Sequence, residues 1–455
     1  MSELPEILKS GERARLFPVL ADTSREGRTL SIFLSCFETV PELGRALLAS
    51  IDVNVSQRTQ IEAYTEVVLK SGDASKSLRP DGLIVVTTSG RKWSALVEAK
   101  VGNTELTNEQ VEGYLELARL NGIDALITLS NQFASLPTHH PVTVAAAAKR
   151  KTQLFHWSWM YVVTQASLLL SNDDVTDREQ RVILREMNRF LLHTSSGVKG
   201  FDQMPASWSA VAAKILAGGT VPANSPEARE VIGAWHQELG DLSLVLSRQL
   251  EISVRVGMTR AQALNPNDRQ KEDQIKLAET GTLTASLIVP DAAAAIQICA
   301  DVHKRSVTAS LKIKAPDEPK SSKARLNWLL KQLNKSEPKD IYIRSFWPGR
   351  SRPTLHNLSE LRGDPALVNK DHETQTLLSF EILLVRDLGA KFAQRKIFLT
   401  ELETAIPEFY NQVAQHVRAW QPRAPKIPEA KIVPTEVAPE ALRKEAEHDA
   451  LIGEA

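Results

Sequence analysis

Cysteine is scarce: Cys36 and Cys299 are the two in 455 residues. That is too few for a disulfide framework or a cysteine-rich zinc site. No run approaches the ~20 apolar residues a membrane helix needs. The opening MSELPEILKSGERARLF has no apolar core of signal-peptide length. A cytoplasmic protein with no membrane partner is therefore expected. Net charge is missing too, since 55 Lys+Arg balance 55 Asp+Glu. That balance argues against coating nucleic acid through bulk charge, though not against a local basic groove. No P-loop of the form GxxxxGK(S/T) occurs, so ATP-driven movement would need a partner. What is present is an ordinary globular composition, 42% hydrophobic and 24% charged, over a length that favours two or three domains.

Apolar spacing predicts an N-terminal α/β domain over residues 1–200. Ser24–Leu48 reads as helix, interrupted at Pro41. Ile61–Leu69 and Gly82–Val86 read as strands. Ser89-Gly90-Arg91-Lys92 marks a hairpin turn, and Trp93–Val97 returns as the next strand. Thr107 followed by Gln110 is a capping-box pattern opening a helix to Leu120, which Gly122 closes. Ile123–Leu129 is another strand, and the aromatics Phe155, Trp157, Trp159 and Tyr161 alternate at a period of two. Residues 201–255 read as a helical linker. Residues 256–420 read as a second α+β domain: strand Thr282–Val289, helix Ala292–His303, strand Val307–Ile313, helix Ser322–Leu333, strands Asp340–Phe346 and Phe380–Val385, and a helix opened by Pro407. Residues 421–455, rich in Pro, Ala, Glu and Lys, read as a disordered tail.

One stretch stands out, LRPDGLIVVTTSGRKWSALVEAKVG at residues 78–102. Asp81 opens one strand of the hairpin, and Glu98 and Lys100 close the other. Residues two apart on a strand share a face, so the hairpin brings two carboxylates and an amine to one sheet edge. Two adjacent carboxylates repel, and burying both ionised is costly unless a cation lies between them. Mg²⁺ suits such a pair, with water and phosphate oxygens completing its shell.

This arrangement resembles the PD-(D/E)xK nuclease superfamily, through Pro80-Asp81 and Glu98-Ala99-Lys100. Gln110 and Tyr114 add the QxxxY pattern of its RecB-like members, four apart on one helical face. The resemblance covers roughly residues 25–165. It implies a restriction-endonuclease-like mixed sheet flanked by helices, Mg²⁺ (or Mn²⁺), and cleavage of DNA before RNA, in anti-phage defence, restriction or DNA repair. It makes Asp81 and Glu98 metal ligands, Lys100 the base or electrostatic stabiliser, and Gln110 and Tyr114 supports. The family's upstream acid falls on Glu66, favoured here, with Glu62, Glu38 and Glu42 as alternatives. Other Glu-x-Lys triplets, such as Glu318-Pro319-Lys320 and Glu337-Pro338-Lys339, carry proline where a central strand does not take it.

Simpler roles stand beside these. Gln110 serves as a cap, Tyr114 as an amphipathic helix residue, and Asp81, Glu98 and Lys100 as an exposed ion-paired hairpin end. His139, His140, His156 and His193 lack metal-pair spacing. Cys36 reads as a small buried hydrophobe. Between Lys304 and Arg352, basic residues such as Lys312, Lys323, Arg325 and Arg344 interleave with Trp328, Tyr342, Phe346 and Trp347. That pattern fits a nucleic-acid footprint or a solvated lysine-rich surface. Residues 256–420 are thus expected to bind nucleic acid, a protein partner or a second copy of the chain. An inactive nuclease-like scaffold is the alternative for the whole protein.

Overall fold

The computed structural model describes residues 4–17, 24–70, 78–145, 148–318 and 320–421. The first sheet has strands β1 (Leu8–Arg13), β2 (Gln60–Leu69), β3 (Gly82–Thr88), β4 (Arg91–Ala99), β5 (Ala125–Ser130) and β6 (Gln153–Ser158), side by side in that order. β1 to β4 run antiparallel, whereas β4, β5 and β6 are parallel. It is a mixed sheet. The β3–β4 turn puts Ser89 and Gly90 at φ 49° and 81°, the two positive dihedrals a tight hairpin of this twist requires.

Helices cover both faces. α1 (Arg25–Thr39) and α2 (Pro41–Ala49) are separated at Val40, which is extended, and Pro41 loses nothing by lacking an N–H in a first turn. With α4 (Trp159–Ser171) and α5 (Arg178–Leu192) they bury one face, in a core holding Phe33, Phe37, Trp157 and Trp159. On the other face lies α3 (Asn108–Leu120), where Val111, Tyr114 and Leu115 pack on Leu83, Leu96 and Leu126. The period-two aromatic pattern ends at Trp157: Ser158 caps α4 and Trp159 is its first residue.

Gly82 positions the start of β3. A Cβ there would lie 2.9 Å from Tyr64 O and 3.0 Å from Leu34 Cδ1, and backbone cannot move aside cheaply. Gly82→Ala is expected to cost roughly 2 kcal/mol, read as a lower urea midpoint with an unchanged slope. An unaltered midpoint would count against this close packing.

The second sheet is antiparallel throughout: β7 (Arg255–Val256), β8 (Thr282–Ile288), β9 (Ile296–Asp301), β10 (Ser306–Lys314), β11 (Ile341–Phe346), β12 (Thr354–Asn357) and β13 (Ser379–Asp387), in the order β12-β11-β13-β10-β9-β8-β7. The helix predicted over Ala292–His303 is instead strand β9. Its Ile296, Ile298 and Ala300 are buried in alternation against the core, and this tertiary period of two overrides alanine's helix preference. The helices here are α6 (Ala206–Leu216), α7 (Pro226–Leu250), α8 (Arg260–Leu264), α9 (Pro266–Thr280), α10 (Ser322–Gln332), α11 (Leu358–Gly363) and α12 (Arg395–Phe409). The helix expected to open at Pro407 begins at Arg395, runs through Pro407 and widens into a π turn, Tyr410–Ala414.

Residues 201–255 are no linker. α6 and α7 contribute Trp208, Val231, Trp235 and Leu239 to the core of the second sheet. Trp208 packs on Phe398 with ring centroids 4.7 Å apart. α7 also meets α4, and Phe201 packs against the cores of both sheets. The described residues up to Ala419 form one compact unit. The tail predicted to be disordered lies, from 422 on, outside the described residues. Among those described, no helix is long and apolar enough to cross a membrane.

Candidate active site

Glu98 ends β4, and Lys100 follows directly. Both turn to the α3 face of the sheet, in step with Leu96. Glu98 is 1% exposed and Lys100 7%. Lys100 Nζ donates to Glu98 Oε1 at 2.6 Å and to Ala99 O at 3.1 Å. Asp81 sits just ahead of β3, where the ladder with β4 ends. Its Oδ2 takes over that ladder by accepting the Ala99 N–H at 2.8 Å. Behind the cluster, Lys100 N–H bonds Leu129 O at 2.8 Å and Trp159 Nε1 donates to Lys100 O at 2.9 Å. The strand end that carries the site is thus pinned from both sides.

Glu66, expected as the upstream acid, does not bring its side chain to this cluster. Glu66 has φ 51° and is exposed. The β1–β2 register gains one residue on β2 between Thr65 and Val68. That extra residue forms a bulge, which re-aims its side chain. Glu66 meets the site through its backbone N–H, which donates to Asp81 O at 3.3 Å. Glu38 and Glu62 pair with Arg13, and Glu42 pairs with Arg45. The acid that reaches the cluster is Glu26, in the first turn of α1, with Oε1 3.1 Å from Lys100 Nζ.

Tyr114 arrives from α3. Its hydroxyl donates to Arg79 O at 3.1 Å, holding the approach to Asp81, and lies near enough to Glu98 to lower that carboxyl's proton affinity. Thr107 is the cap: its Oγ1 accepts the Gln110 N–H at 3.3 Å, and Gln110 is the capped residue. The Gln110 side chain is half-buried one turn before Tyr114.

Burial pushes the Asp81 carboxyl well above the usual range, and the charge of Glu98 beside it adds to the effect. Burial raises Glu98 too, offset in part by Lys100. For Lys100, burial acts downward, but the hydrogen bond to Glu98 and the charges of Glu98, Asp81 and Glu26 outweigh it and hold the ammonium protonated. Burial and Glu98 keep Tyr114 a neutral donor. Glu98 Oε2 is buried with no hydrogen-bond partner. A hard cation would find this orphaned oxygen and Asp81 as ligands. Among the described residues no three or more His, Cys, Asp or Glu side chains are arranged around one metal position. Two carboxylates with open positions are what Mg²⁺ commonly uses.

One strand over, Thr128 lies opposite Glu98. Its hydroxyl is shared by His140 Nε2 at 2.9 Å and His156 Nδ1 at 2.8 Å. Burial pushes these imidazoles down to about 3 and about 4, so both are neutral supports at pH 7.

No protein-family model matches the chain, and no solved structure matches it. A phosphoglucosamine mutase from Anaeromyxobacter sp. (strain Fw109-5) is 38% identical over 86 residues, which is 18% of this chain and 17% of that protein. An overlap of that extent leaves the activity of the whole chain to be argued from its own site.

The basic stretch is partly consumed within the fold. Lys304 pairs with Asp301, Lys314 with Asp317 and Arg344 with Glu381. Lys312 lies over the Phe346 ring at 3.9 Å, and Trp347 is buried and stacked on His372. Arg325 is buried and donates to Leu377 O.

Proposed function

We propose that residues 1–200 form a restriction-endonuclease-like PD-(D/E)xK core and that the protein is a Mg²⁺-dependent cytoplasmic nuclease acting on DNA before RNA. The observation that carries this reading is the convergence of Asp81, Glu98 and Lys100 at the ends of β3 and β4, with Glu98 Oε2 buried and unpartnered. A surface ion pair leaves no such oxygen.

In this reading Asp81 and Glu98 hold Mg²⁺, which supplies a water of lowered pKa and charge to offset that on the phosphate. Lys100, held protonated, serves as an electrostatic stabiliser of the phosphate rather than as a base. Glu26 holds the ammonium as its second carboxylate partner. Tyr114 holds the Arg79–Asp81 segment against α3.

Purified protein is expected to degrade DNA with Mg²⁺ or Mn²⁺ and to stop when Lys100 is replaced by Ala. Glu26→Ala is expected to lower kcat about tenfold, because Lys100 loses one of its two carboxylate partners, while Glu66→Ala leaves kcat unchanged. Wild type that is as inert as Lys100→Ala on single- and double-stranded DNA and RNA would favour an inactive binding scaffold. Equal effects at positions 26 and 66 would remove the role given to Glu26.

A further inference from the structure

A polar cleft of about 240 Å³ opens beyond the carboxyl ends of the parallel strands β4 and β5. Its near wall is the loop Gly102–Glu105, which leaves β4 two residues after Lys100, together with Asn131 and Gln132 at the end of β5. Its far wall is residues 199–203, Gln237 of α7 and Arg395 of α12. Ligands of open α/β sheets gather at this end of parallel strands.

Asn131 builds the floor. Its Nδ2 donates to Gly102 O at 3.0 Å and Gly197 O at 2.8 Å, and its Oδ1 accepts the Lys199 N–H at 3.1 Å. Every polar atom of that side chain is consumed in joining the two loops. Gly102 N–H also donates to Gly197 O at 2.8 Å, and a Cβ on Gly197 would lie 3.1 Å from Gly102 N, so this approach depends on glycine.

Four further lining side chains, Gln132, Gln237, Lys199 and Arg395, carry donors. Gln132 Oε1 accepts the Leu106 N–H and Gln237 Oε1 accepts the Phe133 N–H, which leaves the NH₂ of each without a use in these bonds. Lys199 Nζ donates to Asn103 Oδ1 at 3.0 Å, and Arg395 Nε donates to Met204 O. Among the described residues neither cation is in an ion pair with a carboxylate, and the acids on the lining, Glu105 and Asp202, are exposed. Two unpaired cations and two carboxamide NH₂ groups suit a ligand that only accepts hydrogen bonds, such as a phosphodiester.

We propose that this cleft holds a backbone phosphate of the nucleic-acid strand next to the scissile one, with Lys199 and Arg395 supplying charge and Gln132 and Gln237 hydrogen bonds. The assignment rests on the nuclease reading of the adjoining site. The near wall begins at Gly102, two residues and so at most about 7 Å of chain from Lys100, which puts the cleft beside the strand ends that carry the site.

Binding of a fluorescent oligonucleotide in EDTA, across a salt series, decides it. Lys199→Ala with Arg395→Ala should weaken binding at least tenfold and flatten the log–log salt slope by about 1, the signature of one lost phosphate contact. Arg395→Lys should restore part of the affinity. Lys199→Ala alone, whose Nζ meets Asn103 at the surface, covers the case in which the double variant is unstable. Unchanged affinity and slope, or no binding of DNA or RNA by wild type, would overturn the cleft assignment. Wild type that binds in this salt- and Lys199-dependent way but does not cleave with Mg²⁺ would retain the cleft and end the nuclease reading.

Discussion

Asp81→Asn is expected to abolish Mg²⁺-dependent cleavage, by about a thousandfold or more, while making the protein more heat-stable in EDTA. The two effects share one cause. Asp81 and Glu98 are buried side by side, and both carboxyls bind protons more tightly folded than unfolded. A group whose folded pKa is raised contributes stability fully below its unfolded value and loses it as pH climbs toward the folded one. Without a cation, wild-type stability should therefore fall from about pH 4 into the neutral range. Asparagine keeps an oxygen for the Ala99 N–H and removes the charge facing Glu98, so its melting temperature should vary less with pH. Mg²⁺ should raise the melting temperature of wild type at pH 8 and do little for the variant. Melting curves with and without Mg²⁺ from pH 5 to 9 read this directly. A variant that Mg²⁺ stabilises as strongly as wild type would remove Asp81 from the metal site.

Asp241→Asn should stabilise the protein at pH 8 by the order of 3 kcal/mol and have little effect near pH 4. Asp241 and Glu238 lie on α7, three residues apart and almost wholly buried, with Glu403 of α12 nearby. Both oxygens of Glu238 and Oδ1 of Asp241 have no hydrogen-bond partner. Burial pushes Asp241 up to about 6, against the Phe201 N–H bond and the charge of Arg248. Burial, together with the charge of Asp241, pushes Glu403 up to about 7. Burial raises Glu238 well above the ordinary carboxylate range, with Glu403 and Asp241 adding to it. These raised values mean that stability present below about pH 4 is lost as pH rises through 6 and 7. Asparagine still accepts the Phe201 N–H and replaces the orphaned oxygen with an NH₂. Glu238→Gln should act in the same direction. Chemical denaturation of wild type and variants at pH 5 and pH 8 tests this, and a gain that is equal at both pH values would discard the ionisation account.

The parts legible in the sequence are those that local rules control. The β3–β4 hairpin announces itself through strand alternation on either side of Ser89-Gly90, and Asp81, Glu98 and Lys100 follow because hairpin register is a local matter. The break between α1 and α2 is written in Pro41. Glu26 was hidden because it meets Lys100 across 74 positions of chain, and only the packing of α1 over the strand ends makes that contact. A carboxylate in the first turn of the first helix was the available signal. Glu66 misled because a bulge leaves no mark in an alternating pattern, yet one extra residue exchanges the faces of a strand. In β9 the alanines favoured a helix and the neighbouring strands prevailed. The buried acids of α7 resemble solvent-facing ones, since an i,i+3 pair reveals nothing about what another helix brings against it.

Phe201 stands where the two cores touch, and α4 lies against α7. The strand ends that carry Asp81 and Glu98 therefore share one packed unit with the second sheet, and ordering gained on one sheet is expected to reach the other as free energy. Occupation of the carboxylate pair should slow amide exchange in β9 and β10 as well as in β3 and β4, and a change deep in the second sheet should be felt as weaker cation affinity at a site it never touches.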